Sequence, residues 1–233
     1  MRRAGQVLGL CVLVLLLAPG PAQAQTFFYT QYRTAQGLPS NDVHAAARDS
    51  LGFLWVATDH GLARYDGQTF TTYIPSPPER APGALLRRAN GTLLFAHGDG
   101  IAAVTPGVDT AAVHSVLDAH SRATDSTITA PDGLYEDASG TLWVSQSSGR
   151  VARLRGDTVT TFDLADDTAP PPSDDEPVDS RVHFGEDAAG RLWAAERSGA
   201  LYRYRPGANR FTRVPIDAAT GPVRDLHVRG DTL

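Results

Sequence analysis

The sequence contains no lysine and one cysteine, and only five of its 26 acidic residues are glutamate: Glu79, Glu136, Glu176, Glu186 and Glu196. All 21 basic residues are therefore arginine, and the net charge is -5. That balance argues against a nucleic-acid backbone as partner. Cys11, the lone cysteine, lies inside the N-terminal apolar run, which excludes a disulfide framework, a cysteine metal site and a cysteine nucleophile. No His-Glu-x-x-His pair, Gly-x-Ser-x-Gly elbow or Walker-type loop occurs. The scarcity of glutamate weighs against a glycosidase built on two carboxylates, although aspartate can serve. No catalytic residue, cofactor or metal is expected. Beyond the N-terminus no long apolar run or amphipathic helical window appears, while 42% hydrophobic and 20% charged residues are ordinary for a globular chain.

The N-terminus reads as a secretory signal peptide. Arg2 and Arg3 precede an apolar stretch from Val7 to Ala18, followed by Pro19, Gly20, Pro21 and the small-x-small triplet Ala22-Gln23-Ala24. The stretch falls short of the roughly 20 residues a spanning helix needs. Residues 1–24 are thus the signal and 25–233 the mature domain, with no membrane span apart from the signal.

A repeat runs through that domain. Asp49, Gly52, Leu54 and Trp55 return as Asp137, Gly140, Leu142 and Trp143, and again as Asp187, Gly190, Leu192 and Trp193. A degenerate copy keeps Gly91 and Leu93 but has Arg88 and Leu94 where the others have Asp and Trp, and a fifth begins at Gly230-Asp231-Thr232-Leu233. The shared leucines stand 39 to 50 residues apart, and a second glycine follows seven residues later in four copies, at Gly61, Gly100, Gly149 and Gly199. Each element serves geometry: Asp accepts turn amides, Gly supplies the reversal, and Leu-Trp-Val starts a strand apolar on both faces. After the second glycine come short alternating strands such as Leu62 to Tyr65, and then β-branched runs such as Thr69 to Tyr73. Four antiparallel strands per unit at this period predict an all-β fold, a β-propeller of four-stranded blades, with about four blades and the start of a fifth.

The phrase from Gly37 to Val43, then Arg48 to Gly67 with Phe70 and Tyr73, resembles the two-component regulator propeller repeat. The resemblance implies a periplasmic sensor region of one or two propellers, commonly seven-bladed, followed by a β-sandwich module, a transmembrane helix and a histidine kinase or diguanylate cyclase output. It also implies a small-molecule or oligosaccharide ligand, and a homodimer formed through the parent protein. The chain is accordingly expected to be the N-terminal part of a longer protein, non-catalytic in itself. Its open strand edges lead us to expect poorly cooperative unfolding or aggregation. The alternatives are an exported propeller glycosidase or lyase, and a secreted scaffold.

The remaining motifs have plainer readings. The sialidase Asp box fails at its Asp-to-Gly spacing. His114 and His120 sit in what reads as a loop, and the histidines as a set read as solvated or turn residues. The acidic, proline-rich segment from Asp166 to Pro177 reads as a solvated loop without the ladder of a calcium site. Asn90-Gly91-Thr92 and Arg229-Gly230-Asp231 fall on the repeat's own turn. Tyr29, Tyr32, Tyr73 and Tyr135 are candidates for stacking on sugars or for the core, and the ligand-binding residues stay unassigned. The signal reading predicts an exported chain beginning at Gln25, checked by mass spectrometry of the secreted product; retention of residues 1–24 would refute it.

Overall fold

The computed structural model describes residues 29–75, 84–98, 100–118, 128, 130–156, 158–164, 181–216, 223 and 226. The signal segment with Cys11, the acidic segment 166–177, His120 and the fifth repeat lie outside the described residues. The chain divides into two units, residues 1–31 and 32–233, and all sixteen strands belong to the second.

They form four antiparallel sheets in simple up-and-down order. The first holds β1 (Val43–Arg48), β2 (Leu54–Thr58), β3 (Gly61–Tyr65) and β4 (Phe70–Pro75). The second holds β5 (Ala84–Arg87), β6 (Leu93–His97), β7 (Gly100–Pro106) and β8 (Ala111–Asp118). The third holds β9 (Pro131–Glu136), β10 (Leu142–Gln146), β11 (Arg150–Arg155) and β12 (Thr158–Asp163). The fourth holds β13 (Val182–Glu186), β14 (Leu192–Glu196), β15 (Leu201–Arg205) and β16 (Arg210–Val214). The first strands β1, β5, β9 and β13 lie side by side from sheet to sheet, so the sheets are propeller blades with these strands innermost. Among the described residues no ladder joins one blade to the next.

Side chains alone therefore hold the blades together. Trp55, Ala57 and Leu62 of the first blade bury against Leu93, Phe95 and Val104 of the second. Leu94, Ile101 and Ala103 meet Leu142, Val144 and Ala152, and Trp143, Val151 and Phe162 meet Leu192, Ala194, Tyr202 and Tyr204. Covering each sheet on both faces explains why β3 is buried from Gly61 through Arg64, where the sequence reads as a strand alternating between core and solvent. The histidines agree with expectation in part: His44, His60 and His114 are exposed, but His44, His97, His114 and His183 are strand residues, and only His60 among the described ones sits in a turn. His114 lies within β8 because the β-branched Val113 and Val116 around it favour extended backbone.

Every first hairpin is closed the same way. The amide of Asp49 donates to the Phe53 carbonyl, as Arg88 does to Thr92, Asp137 to Thr141 and Asp187 to Arg191, at 2.8–3.1 Å. The glycine third in each turn takes positive φ, 94° at Gly52 and 71° at Gly190, a region that penalises any Cβ. The glycines opening the third strands β3 and β7, Gly61 and Gly100, and those before β11 and β15, Gly149 and Gly199, also have positive φ.

The aspartate then does more than turn chemistry requires. Asp49 Oδ1 accepts the amides of Leu51 and Phe53, each at 2.9 Å. Its Oδ2 accepts the Trp55 indole N–H at 2.8 Å. Asp137 takes Trp143 at 2.8 Å and Asp187 takes Trp193 at 2.9 Å in the same way. In these three copies the Asp-Gly-Leu-Trp frame thus ties a turn to a core aromatic. In the degenerate copy Asn90 Oδ1 accepts the Thr92 amide at 3.0 Å, replacing one of these bonds from a different position. Replacing Trp55 with Phe removes a donor from the buried Asp49 carboxylate and is expected to cost about 1–3 kcal/mol. Chemical denaturation checks this, and an unchanged midpoint would show that the bond contributes nothing net.

Candidate functional site

Two ends of the blades differ in chemistry. At one end lie the Asp–Trp hairpins. At the other, in the first, third and fourth blades, the connections into the inner strands meet the turns between second and third strands. In the first blade the Asp59 amide donates to the Asp42 carbonyl at 3.2 Å, and Asp42 in turn donates its amide to Ser40 Oγ at 3.1 Å. His60 Nδ1–H donates to the Pro39 carbonyl at 3.0 Å, which leaves its Nε2 as an acceptor. His44, on the inner strand, donates through Nε2 to the Asp59 carboxylate.

The equivalent end of the third blade carries Asp132, whose carboxylate accepts the Ser145 hydroxyl at 2.5 Å. Gly133 beside it has no room for a side chain, because a Cβ there would collide with Ser145 Oγ. In the fourth blade Ser198 Oγ donates to Glu196 at 3.0 Å. This end of the described blades thus carries carboxylates, imidazoles and hydroxyls. Among the described residues no group of three or more histidine, aspartate or glutamate side chains is placed to hold a metal ion.

None of these residues belongs to the repeat frame, so the repeat gave no signal for them. The frame residues themselves are spread over four blades and serve the hairpins: Asp49, Trp55, Leu93, Leu142, Trp143, Asp187, Leu192 and Trp193 are buried. The tyrosines part company. Tyr29 is exposed. Tyr32 rests on Tyr65 and Phe70, and Tyr73 lies against Trp55. Tyr135 faces Phe184 across the third and fourth blades.

Arginines lock the blades at the aromatic layer. Arg64, buried on β3, lies 4.5 Å from the Phe53 ring and 5.2 Å from that of Tyr73, and reaches the Gly107 carbonyl of the second blade at 2.8 Å. Arg153 repeats the arrangement over Trp143 and Phe162 and donates to the Tyr204 hydroxyl of the fourth blade. A desolvated guanidinium over aromatic rings, with its donors spent on the neighbouring blade, fixes blade-to-blade geometry where no backbone ladder can.

Known proteins share parts of this picture. Residues 37–60 match the family described as two component regulator propeller; they run from the approach to β1 through the first Asp–Trp hairpin to His60. Histidine kinase P4 of Formosa agariphila is 34% identical over 58 residues, which is 25% of this chain and 4% of that protein. Among solved structures, a virginiamycin B lyase from Staphylococcus aureus aligns with a TM-score of 0.58 at 16% identity, over 84% of this chain and 63% of its own. The extracellular domain of a putative hybrid two-component system from B. thetaiotaomicron aligns with a TM-score of 0.55 at 19% identity, over 86% of this chain and 26% of that one. These structural likenesses show the propeller fold. The chain spans only a small part of the curated relative and of the two-component domain. Among the described residues no helix is long and apolar enough to cross a membrane.

Two later copies of the hairpin, in the third and fourth blades, also set how the domain meets acid. Burial alone would raise the Asp187 carboxyl, but the Trp193 indole, the Arg191 amide and guanidinium, and the Ala189 amide outweigh it and hold its pKa at about 2. Asp137 is lowered in the same manner: burial opposes, while the Ser139 hydroxyl, the Trp143 indole and two amides prevail. A carboxylate depressed in the folded state stabilises it above the unfolded value, and that contribution is lost as pH falls through the folded value. The gap in melting temperature between the parent and Asp187→Asn is therefore expected to be full at about pH 5 and to close toward about pH 2. A gap that stays constant over this range in thermal unfolding would contradict the assignment.

Proposed function

We propose that this chain is the ligand-sensing propeller region of a two-component signal-transduction sensor, exported to the periplasm and non-catalytic in itself. The observation that carries the reading is the match of residues 37–60 to the two component regulator propeller, seated on an intact first hairpin. The short stretch shared with a histidine kinase points the same way. On this reading the ligand is a small molecule or an oligosaccharide, and it binds at the blade end bearing Asp42, His44, Asp59 and His60, where carboxylate and imidazole can pair with hydroxyl groups. Binding favours one arrangement of the propeller, or of a dimer formed through the parent protein, by the difference in affinity between the two arrangements. The output is a kinase or cyclase on another part of the same polypeptide.

The test has two arms. Reading the gene beyond codon 233 is expected to show further blades, a membrane-spanning helix and a kinase or cyclase; a stop codon directly after the propeller would overturn the sensor. Calorimetry of the exported region against an oligosaccharide panel, with chromatographic analysis of the mixtures, is expected to show saturable binding without turnover. Product formation would move the assignment to a lyase or glycosidase.

A further inference from the structure

The blade junctions at the hairpin end are built on one plan with one exception. The last residue of β9, Glu136, accepts the Ala89 amide of the preceding blade at 3.3 Å through Oε2. The last residue of β13, Glu186, accepts the Ala138 amide of the preceding blade at 2.8 Å through the same oxygen. Ala89 and Ala138 hold the same place in their hairpins, four residues before the shared leucine. The second oxygens also correspond: each lies near the positive-φ glycine of its own hairpin, 4.0 Å from a Cβ built on Gly140 for Glu136 and 3.6 Å from one built on Gly190 for Glu186.

What fills the two places differs. At the junction of the second and third blades the Arg88 guanidinium occupies it, donating Nε and Nη2 to Glu136 Oε1 at 2.8 and 2.5 Å and Nη2 to the Gly140 carbonyl at 3.4 Å. At the junction of the third and fourth blades the residue in the position of Arg88 is Asp137, which turns into its own hairpin to hold Trp143. No side chain replaces the guanidinium. Glu186 Oε1 has no hydrogen-bond partner among the described residues, and it opens on a groove of about 390 Å³ that Glu186, Gly190, Arg155 and Tyr204 help to line.

The other charges of this groove are already engaged, with one exception. Arg153 is spent on Tyr204 and Thr160, Arg191 on Asp187 at 2.6 Å, and Asp137 on its turn and Trp143. Arg155, exposed at the end of β11, has a guanidinium with neither hydrogen bond nor ion pair among the described residues. The groove therefore offers one carboxylate oxygen shaped to receive a planar cation and one guanidinium for an anion.

The geometry points to a binding site for a small zwitterion, such as a basic amino acid or the end of a short peptide. Its guanidinium or ammonium sits on Glu186 Oε1 as Arg88 sits on Glu136, and its carboxylate meets Arg155. The site is separate from the surface assigned to the sensed ligand and stands whether or not the chain is a sensor. Opposite charges on the groove disfavour a simple anion or a simple cation relative to a molecule that carries both.

Calorimetric titration of the chain with L-arginine tests this, alongside agmatine, which keeps the guanidinium and lacks the carboxylate. Saturable binding of L-arginine is expected at about millimolar concentration, with agmatine weaker by about threefold or more. Glu186→Gln keeps an oxygen for the Ala138 amide but loses the charge, and is expected to weaken L-arginine by at least about fivefold. Arg155→Gln is expected to bring L-arginine down to the affinity of agmatine and to leave agmatine unchanged. Melting curves of both variants establish that they are folded. Absence of saturable binding, equal affinity for agmatine and L-arginine, or undiminished binding by folded Glu186→Gln would each overturn the site.

Discussion

The carboxylate that gathers its own turn and a core indole is the interaction on which the blades depend. Asp49, Asp137 and Asp187 each close a five-residue reversal through backbone amides and then fix a tryptophan six residues on. Trp55 and Trp143, placed in this way, pack into the layers between the first and second and the third and fourth blades. Each indole N–H would otherwise be a buried donor without a partner, at a cost comparable to the hydrogen bond itself. One side chain thus satisfies the turn, orients the largest residue of the core and sets the position of the second strand relative to the first.

Blade-to-blade order is a separate problem, because no ladder crosses from one sheet to the next among the described residues. Apolar burial is non-directional and would allow neighbouring sheets to slide. The directional contacts are ionic or charge-assisted and occur at two levels. In the aromatic layer Arg64 and Arg153 reach forward to the next blade. At the hairpin end Glu136 and Glu186 reach back to an amide of the previous one. The second blade lacks both the aspartate and the tryptophan, and there Arg88 spans the junction instead. A copy that has lost the internal tie has gained an external one.

The four-stranded unit, its period and its two glycine turns were legible in the sequence, because each depends on local chemistry repeated at fixed spacing. The indole bond to Asp49 was not, since turn geometry alone accounts for an aspartate at that position and a core alone accounts for Trp55. The burial of Arg64 was also hidden: an arginine in a short strand reads as solvent-facing until the neighbouring blade is known to cover it. His44 and Asp59 meet only because the approach to the inner strand lies beside a turn fifteen residues on, a pairing that no periodicity announces. Glu186 and Arg155 come from different blades, and their relation becomes visible only when Glu186 is set beside Glu136.

This division of labour bears on how such a module could transmit a signal. Each blade is a hydrogen-bonded four-stranded unit, and three of the four carry the Asp–Trp tie, so their internal geometry resists change. The junctions combine buried apolar clusters with a few directional side-chain contacts, and those partly exposed to solvent, as at Arg88 and Glu136, are individually weak. A ligand that bridges two blades adds a directional contact where the sheets share no ladder, and it bears on the relative setting of neighbouring blades more than on the inside of any one of them. The junction of the third and fourth blades combines the Arg153 lock with an unfilled carboxylate.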